Sequence, residues 1–394
     1  MNKKVCSFPI LFALLALLIG TCAVVFPASA QAAPTSTGSI TVSGTVASSY
    51  DAYQIFSANV VDGDSDAKIA TDLAWASDAA RDAVLPVLHS AGMPNSQTTA
   101  QEAAEWLNTD SRLTSALSAQ LARSLQSSDS VSVALNAGTA AELPCGYWLI
   151  VADDDAIAQG EVGTAPIMAL VGGSAVTVKP KAATPKVSKH VLEDGTAAWQ
   201  KAADATVADD LYWRLSATVP AGLTAYDTYT VRFVDTMSAG LDPSKVAASM
   251  RVYVAAGADG GFDAVQTGKD GRAGTEPAKG WTDITAQCGV SVDGKTFTVR
   301  TGDLIAALGG ADAFTAGARV VAVYNAPLNG ACNHGIAKGN PNEVYLRYPR
   351  SPFADSPATP ASPARRAMTR APTPGISRSP SAAATATSRL LGRS

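Results

Sequence analysis

Residues 211–219 read Leu211-Tyr212-Trp213-Arg214-Leu215-Ser216-Ala217-Thr218-Val219. Leu211, Trp213, Leu215, Ala217 and Val219 take every second place, which is the period of a strand with one buried face. The pattern returns at Tyr229, Val231 and Phe233. Turn chemistry at Asp194-Gly195, Asp293-Gly294 and Gly309-Gly310 cuts the stretch from Val187 to Tyr348 into many short strands. That pattern predicts a mainly β architecture: an immunoglobulin-like β-sandwich over residues 184–348, with one short helix at Asp303–Leu308.

Upstream, residues 38–181 pass from strand to helix and back, predicting a mixed β/α domain. Ile40 and Val42 alternate with Thr41 and Ser43, and Tyr53–Phe56 is β-prone. Ile69, Leu73, Ala80, Val84 and Leu88 are read as one helical face, Thr99–Leu107 as a helix, and Leu113, Leu117, Leu121 and Leu125 as an i, i+4 stripe facing the core. Strands resume at Val131–Leu135, Tyr147–Val151, Ile167–Val171 and Val176–Val178, and Ala183-Thr184-Pro185-Lys186 reads as a connector.

The two ends differ from this body. Lys3 and Lys4 precede an apolar run from Phe8 to Val25 and the small-residue site Ala28-Ser29-Ala30, so residues 1–30 read as an export signal cleaved near Gln31. Residues 349–394 hold seven Arg, no Lys, one Asp and eight Pro, without apolar periodicity, and read as a disordered basic tail. Setting both ends aside leaves 21 basic against 33 acidic residues in the body, about −12. An acidic body and 16% charged residues overall argue against nucleic acid as a partner.

Chemistry-bearing motifs are few. Signal removal leaves Cys145, Cys288 and Cys332 in an oxidising compartment; a Cys288–Cys332 disulfide and free buried thiols both stay open. The chain has no C-x-x-C pair, and its three histidines are not at helical ligand spacing, so no metal site is expected. Asp62-Gly63-Asp64-Ser65-Asp66 resembles a calcium loop, but Ala67 stands where the glycine belongs and Leu73 where the last acid belongs, so it reads as a solvated turn. Neither a nucleophile elbow nor a phosphate loop is found, and His334 lacks a partner in a catalytic arrangement. No cofactor and no turnover enzyme are expected.

Three segments of the second domain carry more. In Pro185-Lys186-Val187-Ser188-Lys189-His190-Val191, Lys189 shares a strand face with Val187 and Val191, so it is buried if the valines are. If they face outward, or the lysine snorkels, it is solvated. Asp235 sits in Phe233–Leu241 between a strand and a glycine turn. In the last segment, Gly339–Tyr348, Asn342 shares a face with Val344, Leu346 and Tyr348 and would enter the core. As the first and last strands of a sandwich, these outer segments are expected to pair.

Taken together with "VTVKPK", "YDTYTVRFVDTMSAGL", "VVAVYNAPLN" and "GNPNEVYLRY", these strings resemble the Gram-positive sortase-assembled pilins, in particular their fimbrial isopeptide-forming domain. The resemblance covers most of residues 38–348. It implies a structural, adhesive pilus subunit whose partners are other pilin subunits, a class C sortase and a host surface ligand. It also implies an autocatalytic bond from Lys189 to Asn342, with Asn340 as second choice, assisted by Asp235. Lys181 in "VTVKPK" would accept the sortase-cleaved end of the next subunit, although Lys179 replaces the family's usual aromatic. A non-polymerising adhesin for a host protein or glycan is the alternative. Such pilins continue past "VYLRY" into a third sandwich and a sorting signal; here Ala371-Pro372-Thr373-Pro374-Gly375 is not one, and the cell-wall anchor is absent from this chain. The tail therefore reads as a shifted or truncated frame of a secreted cell-surface protein.

Overall fold

In a computed structural model of the chain, residues 36–353 are described except 65–66, 110, 159–160, 182–184, 194–197, 208, 221–222, 258–279 and 335–338; beyond them the backbone of 364–369 and 373–374 is described. The export signal lies outside the described residues, as does most of the tail. The chain forms two compact units, one of residues up to 158 with 163–182 and 351–353, the other of 159–162, 183–350 and 354 onward.

In the first unit, strands β1 (Thr37–Val42), β2 (Ser49–Asp62) and β3 (Lys68–Trp75) precede helices α1 (Asp78–Ser90), α2 (Ala100–Asn108) and α3 (Ser115–Gln126). Strands β4 (Ser132–Asn136), β5 (Ala140–Pro144), β6 (Gly146–Ala152), β7 (Ile167–Val171) and β8 (Val176–Val178) follow. One sheet runs β3-β2-β6-β7 with β4 also on β2, and a second runs β5-β1-β8. Each helix begins where a hydroxyl can take an orphan backbone N–H: Ser77, Thr99 and Thr114 are the N-caps, and Thr99 forms a capping box with Glu102.

Strand β6 is apolar on both sides because both sides are covered. Leu149 and Val151 pack with the leucines of α3, while Trp148 and Ile150 pack with Ile40 and Val42 of β1. Ile69 and Leu73, expected on a helix, lie on β3. Their spacing of four is even, so it satisfies a strand as well as a helix, and antiparallel pairing with β2 decides between them.

The second unit contains β9 (Val187–Glu193), β10 (Ala198–Gln200), β11 (Asp204–Ala205), β12 (Tyr212–Thr218) and β13 (Arg232–Met237). Then come α4 (Val246–Ser249), β14 (Arg251–Ala255), β15 (Thr282–Asp283), β16 (Gly289–Asp293), β17 (Thr296–Arg300) and α5 (Leu304–Ala307). Strands β18 (Arg319–Asn325), β19 (Asn342–Arg347), β20 (Ala364–Thr369) and β21 (Thr373–Pro374) complete it. One sheet is ordered β10-β9-β12-β18-β14-β15 and the other β16-β17-β13-β19-β20. A single core joins their inner faces, from Trp213, Leu215 and Ala322 on one side to Phe233, Phe297, Val344 and Leu346 on the other.

First and last sandwich strands do not pair. β9 bonds to β10 and β12, β19 bonds to β13 and β20, and so the two stand in opposite sheets. Within 349–394, expected to lack regular structure, Ala364–Thr369 runs antiparallel along β19 and Thr373–Pro374 pairs with β11. Without β20, β19 would be an edge strand with open backbone donors and acceptors, a position that accepts an added strand with little regard to its sequence. Cys145, Cys288 and Cys332 are free thiols.

Candidate functional site

Register fixes the phase of the critical side chains. On β9, Val191 is buried in the sandwich core and Lys189, two residues before it, is buried on the same face, opposite Leu215 of β12. Asp235 lies between the core residues Phe233 and Met237 on β13 and faces inward with them. Asn342 opens β19 opposite Met237, also on the inward face. Lys189, Asp235 and Asn342 each have 0% exposure.

These side chains are linked. The Lys189 ammonium donates to Asp235 Oδ2, Tyr324 donates its hydroxyl to the same oxygen at 3.3 Å, and Asn342 Nδ2 donates to the Tyr324 hydroxyl at 3.0 Å. Two acceptors remain unused: Asp235 Oδ1 and Asn342 Oδ1 are buried and have no hydrogen-bond partner. The Lys189 nitrogen also lies 5.2 Å from the Trp213 ring centroid and 5.7 Å from that of Tyr324.

Burial sets the proton affinities. Loss of water pulls Lys189 down to about 8, against the opposing pull of Asp235, which favours the ammonium. The same loss pushes Asp235 up to about 6, resisted by Lys189 and by the Tyr324 hydroxyl. Tyr324 itself is raised well above its ordinary value by burial first and by the charge of Asp235 second. An amine and a carboxyl far apart in affinity in water are thereby brought close, so that moving the proton from Lys189 to Asp235 becomes a modest step.

The two asparagines separate clearly. Asn340 Oδ1 accepts from the Asn333 backbone at 2.8 Å and its Nδ2 donates to the Asn333 carbonyl at 3.3 Å, so its amide ties down a loop. A Cβ on Gly240 would collide with that amide oxygen and with the Cys332 backbone, which explains a glycine there. Asn342 alone joins the buried chain. Tyr324 has no assigned role in the sequence reading, although its phase was readable: Val320, Ala322 and Tyr324 alternate along β18 and all belong to the core.

Lys181 belongs to the first unit, just past β8, and is exposed, as is Lys179. Strand β8 is held in parallel register by β1, with Val42 opposite Val178. Asp62, from the rejected calcium loop, instead accepts from Lys68 and from the Ser174 backbone and hydroxyl.

No protein-family model matches the chain, and no curated protein does. Solved structures do match it. Over 85% of its length the fold is similar to the T6 backbone pilin of Streptococcus pyogenes, at 13% identity and a TM-score of 0.47. The chain is similar in fold to Gram-positive major pilins. The major pilin SpaD of Corynebacterium diphtheriae aligns over 85% of this chain at 15% identity and a TM-score of 0.39, and the fimbrial protein FimP of Actinomyces oris over 85% at 9% and 0.43. The matched part is 64% of the T6 chain and 66% of SpaD, so this chain spans just under two thirds of either.

Proposed function

We propose that this protein is a structural subunit of a surface pilus, exported by its N-terminal signal and joined to like subunits by a sortase at Lys181, and that its second unit is locked by an intramolecular isopeptide bond between Lys189 and Asn342. Attachment of the cell to its surroundings is the role of such a fibre. The observation that carries the cross-link is the buried Lys189–Asp235–Tyr324–Asn342 chain with its two unused oxygens.

The chemistry follows from the proton positions. Transfer of a proton from Lys189 to Asp235 leaves a neutral amine, which is the nucleophile, and a neutral carboxylic acid, which can donate to the Asn342 carbonyl oxygen. That single proton would satisfy both unused oxygens. Attack of Lys189 Nζ on Asn342 Cγ forms the new C–N bond; the carboxyl group of Asp235 then carries the nitrogen's proton to the departing amide, and ammonia leaves. Amine plus primary amide gives secondary amide plus ammonia, with no oxidant or cofactor in the balance. Folding supplies the proximity, for which effective molarities of about 10⁵ to 10⁸ M are known in well-oriented intramolecular reactions. The reaction runs once per chain.

Intact mass of the secreted protein tests the reading. The chain should weigh one ammonia less than its sequence and yield a branched tryptic peptide containing Lys189 and Asn342; full mass would overturn the cross-link. Separately, incubation with a class C sortase and a partner pilin should give a covalent ladder that Lys181→Ala abolishes while the ammonia loss persists.

A further inference from the structure

The outer face of the sheet that carries Asp235 and Asn342 has a feature the cross-link does not use. Arg232 on β13 stands directly opposite Arg300 on β17 and Arg347 on β19. Adjacent strands are roughly 4.8 Å apart, so the three form a row about 10 Å long. All three occupy the outward phase, Arg300 exposed and its neighbours partly so. Like charges directly opposite on a sheet are destabilising.

Nothing described neutralises the row. None of the ion pairs among the described residues includes any of the three, and the buried Nε of Arg232 has no hydrogen-bond partner. Burial first, and then the charges of Arg300 and Arg347, draw the Arg232 guanidinium below its ordinary value. On this face Glu343 lies four residues along β19 from Arg347, about 13 Å away in an extended strand, and it receives the Tyr345 hydroxyl at 3.4 Å. Asp293, at the far end of β16, is opposite Thr296 rather than Arg300. Asp303 is nearer, but its oxygens accept from the backbone of Tyr229, Ile305 and Ala306. Beside Arg300 opens a cleft of about 430 Å³ whose walls include Thr228, Gln287, Gly289 and Asp303.

We propose that the Arg300–Arg232–Arg347 row binds a linear glycan through sulfate or phosphate esters, with sugar hydroxyls entering the cleft at Thr228 and Gln287. Three guanidiniums without lysine suit tetrahedral oxyanions, which take paired N–H donors from a planar fork. An array fixed across a sheet suits a polymer with repeated charge rather than one small anion. The body carries about −12, so its general field disfavours a polyanion and the attraction on this sheet face is local to the row, apart from the basic tail of residues 349–394. The site is independent of the cross-link and of Lys181.

The test uses the full secreted chain on immobilised heparin, on a phosphorylated mannan and on hyaluronate, which carries carboxylates only. Retention at physiological ionic strength is expected on heparin or on the mannan, whichever holds the ester recognised, and not on hyaluronate. Arg232→Gln, Arg300→Gln and Arg347→Gln should each weaken it about tenfold, the loss expected for one charge-assisted contact. The triple Arg→Lys variant keeps the charge and should also weaken it, while Arg81→Gln in the first unit should not. Arg232→Gln should melt no lower than the parent, since it relieves like-charge crowding; should it fail to fold, the exposed Arg300→Gln carries the test. Failure on both ester-bearing glycans, equal retention on hyaluronate, or full binding by the triple lysine variant would overturn the proposal. So would Arg→Gln variants that alter sedimentation of the protein with itself and leave glycan retention unchanged.

Discussion

Lys189 and Asp235 meet across the sandwich, one from β9 and the other from β13 in the opposing sheet, with neither side chain reaching solvent. A buried ion pair of this kind is poor evidence for stability, because desolvation offsets much of the attraction. Its placement beside an asparagine amide with an unused oxygen is what gives it a chemical use.

Asp235→Ala keeps the amine and the amide but removes the group that takes the proton and polarises the carbonyl. It should retain full mass, as should Lys189→Ala. Lys189 and Asn342 are 153 residues apart, and closing a loop of that size restricts the unfolded chain by about 5 kcal/mol in the chain-entropy account of cross-links. Asp235→Ala also strands a buried ammonium, so its melting temperature overstates the cross-link. The double variant Lys189→Met/Asp235→Leu removes both charges, and its deficit in calorimetry reports the bond itself. A double variant as stable as the parent would count against the cross-link.

Much of this site was legible in the sequence, and the reasons for the remainder are physical. Period-two alternation gives the phase of a side chain once one neighbour is known to be buried, so Val191 settles Lys189. It does not give the strand's partner: β9 and β19 were expected side by side and stand in opposite sheets. Tyr324 shows the same limit, since its inward phase was readable but its position between Asp235 and Asn342 depends on how two sheets superpose. Strand β5 went unread because Ala140-Ala141-Glu142-Leu143-Pro144 has no β-branched residue and is a strand only through pairing with β1.

Tyr324→Phe keeps the ring against Phe297, whose centroid is 4.6 Å away, and removes only the hydroxyl between Asp235 and Asn342. Without it the amide loses the acceptor that orients it. Cross-linking should still go to completion but about tenfold or more slowly, on the scale of one lost hydrogen bond to a charged network. Mass spectra at intervals after refolding would follow this, and an unchanged rate would leave Tyr324 a packing residue.

Asn340→Ala and Asn342→Ala should part company. The first loosens the loop at Asn333 and lowers the melting temperature, yet the chain should still lose ammonia. The second should keep full mass. The reverse result would move the electrophile to Asn340 and require a rearranged loop around Gly240.

In Asn342→Ala the amine and the carboxyl stay titratable, and their displaced affinities make a specific pH profile. Asp235, up to about 6 from 3.8, holds a proton in the folded chain that the unfolded chain has released, so stability falls as pH rises through that interval. Lys189, down to about 8 from 10.5, has released a proton in the folded chain that the unfolded chain still holds, so stability rises with pH through that higher interval. Between about 6 and 8 neither group contributes a slope, and the ion pair is least favourable to folding. The melting temperature of Asn342→Ala, less that of the same variant with Lys189→Met and Asp235→Leu, should therefore trace a trough whose floor lies near neutrality. Groups elsewhere cancel in the difference. In the parent chain the lysine nitrogen is an amide and cannot take up a proton, so the alkaline limb should vanish. If the parent keeps that limb, measured against the same reference, Lys189 is a free amine and the bond has not formed.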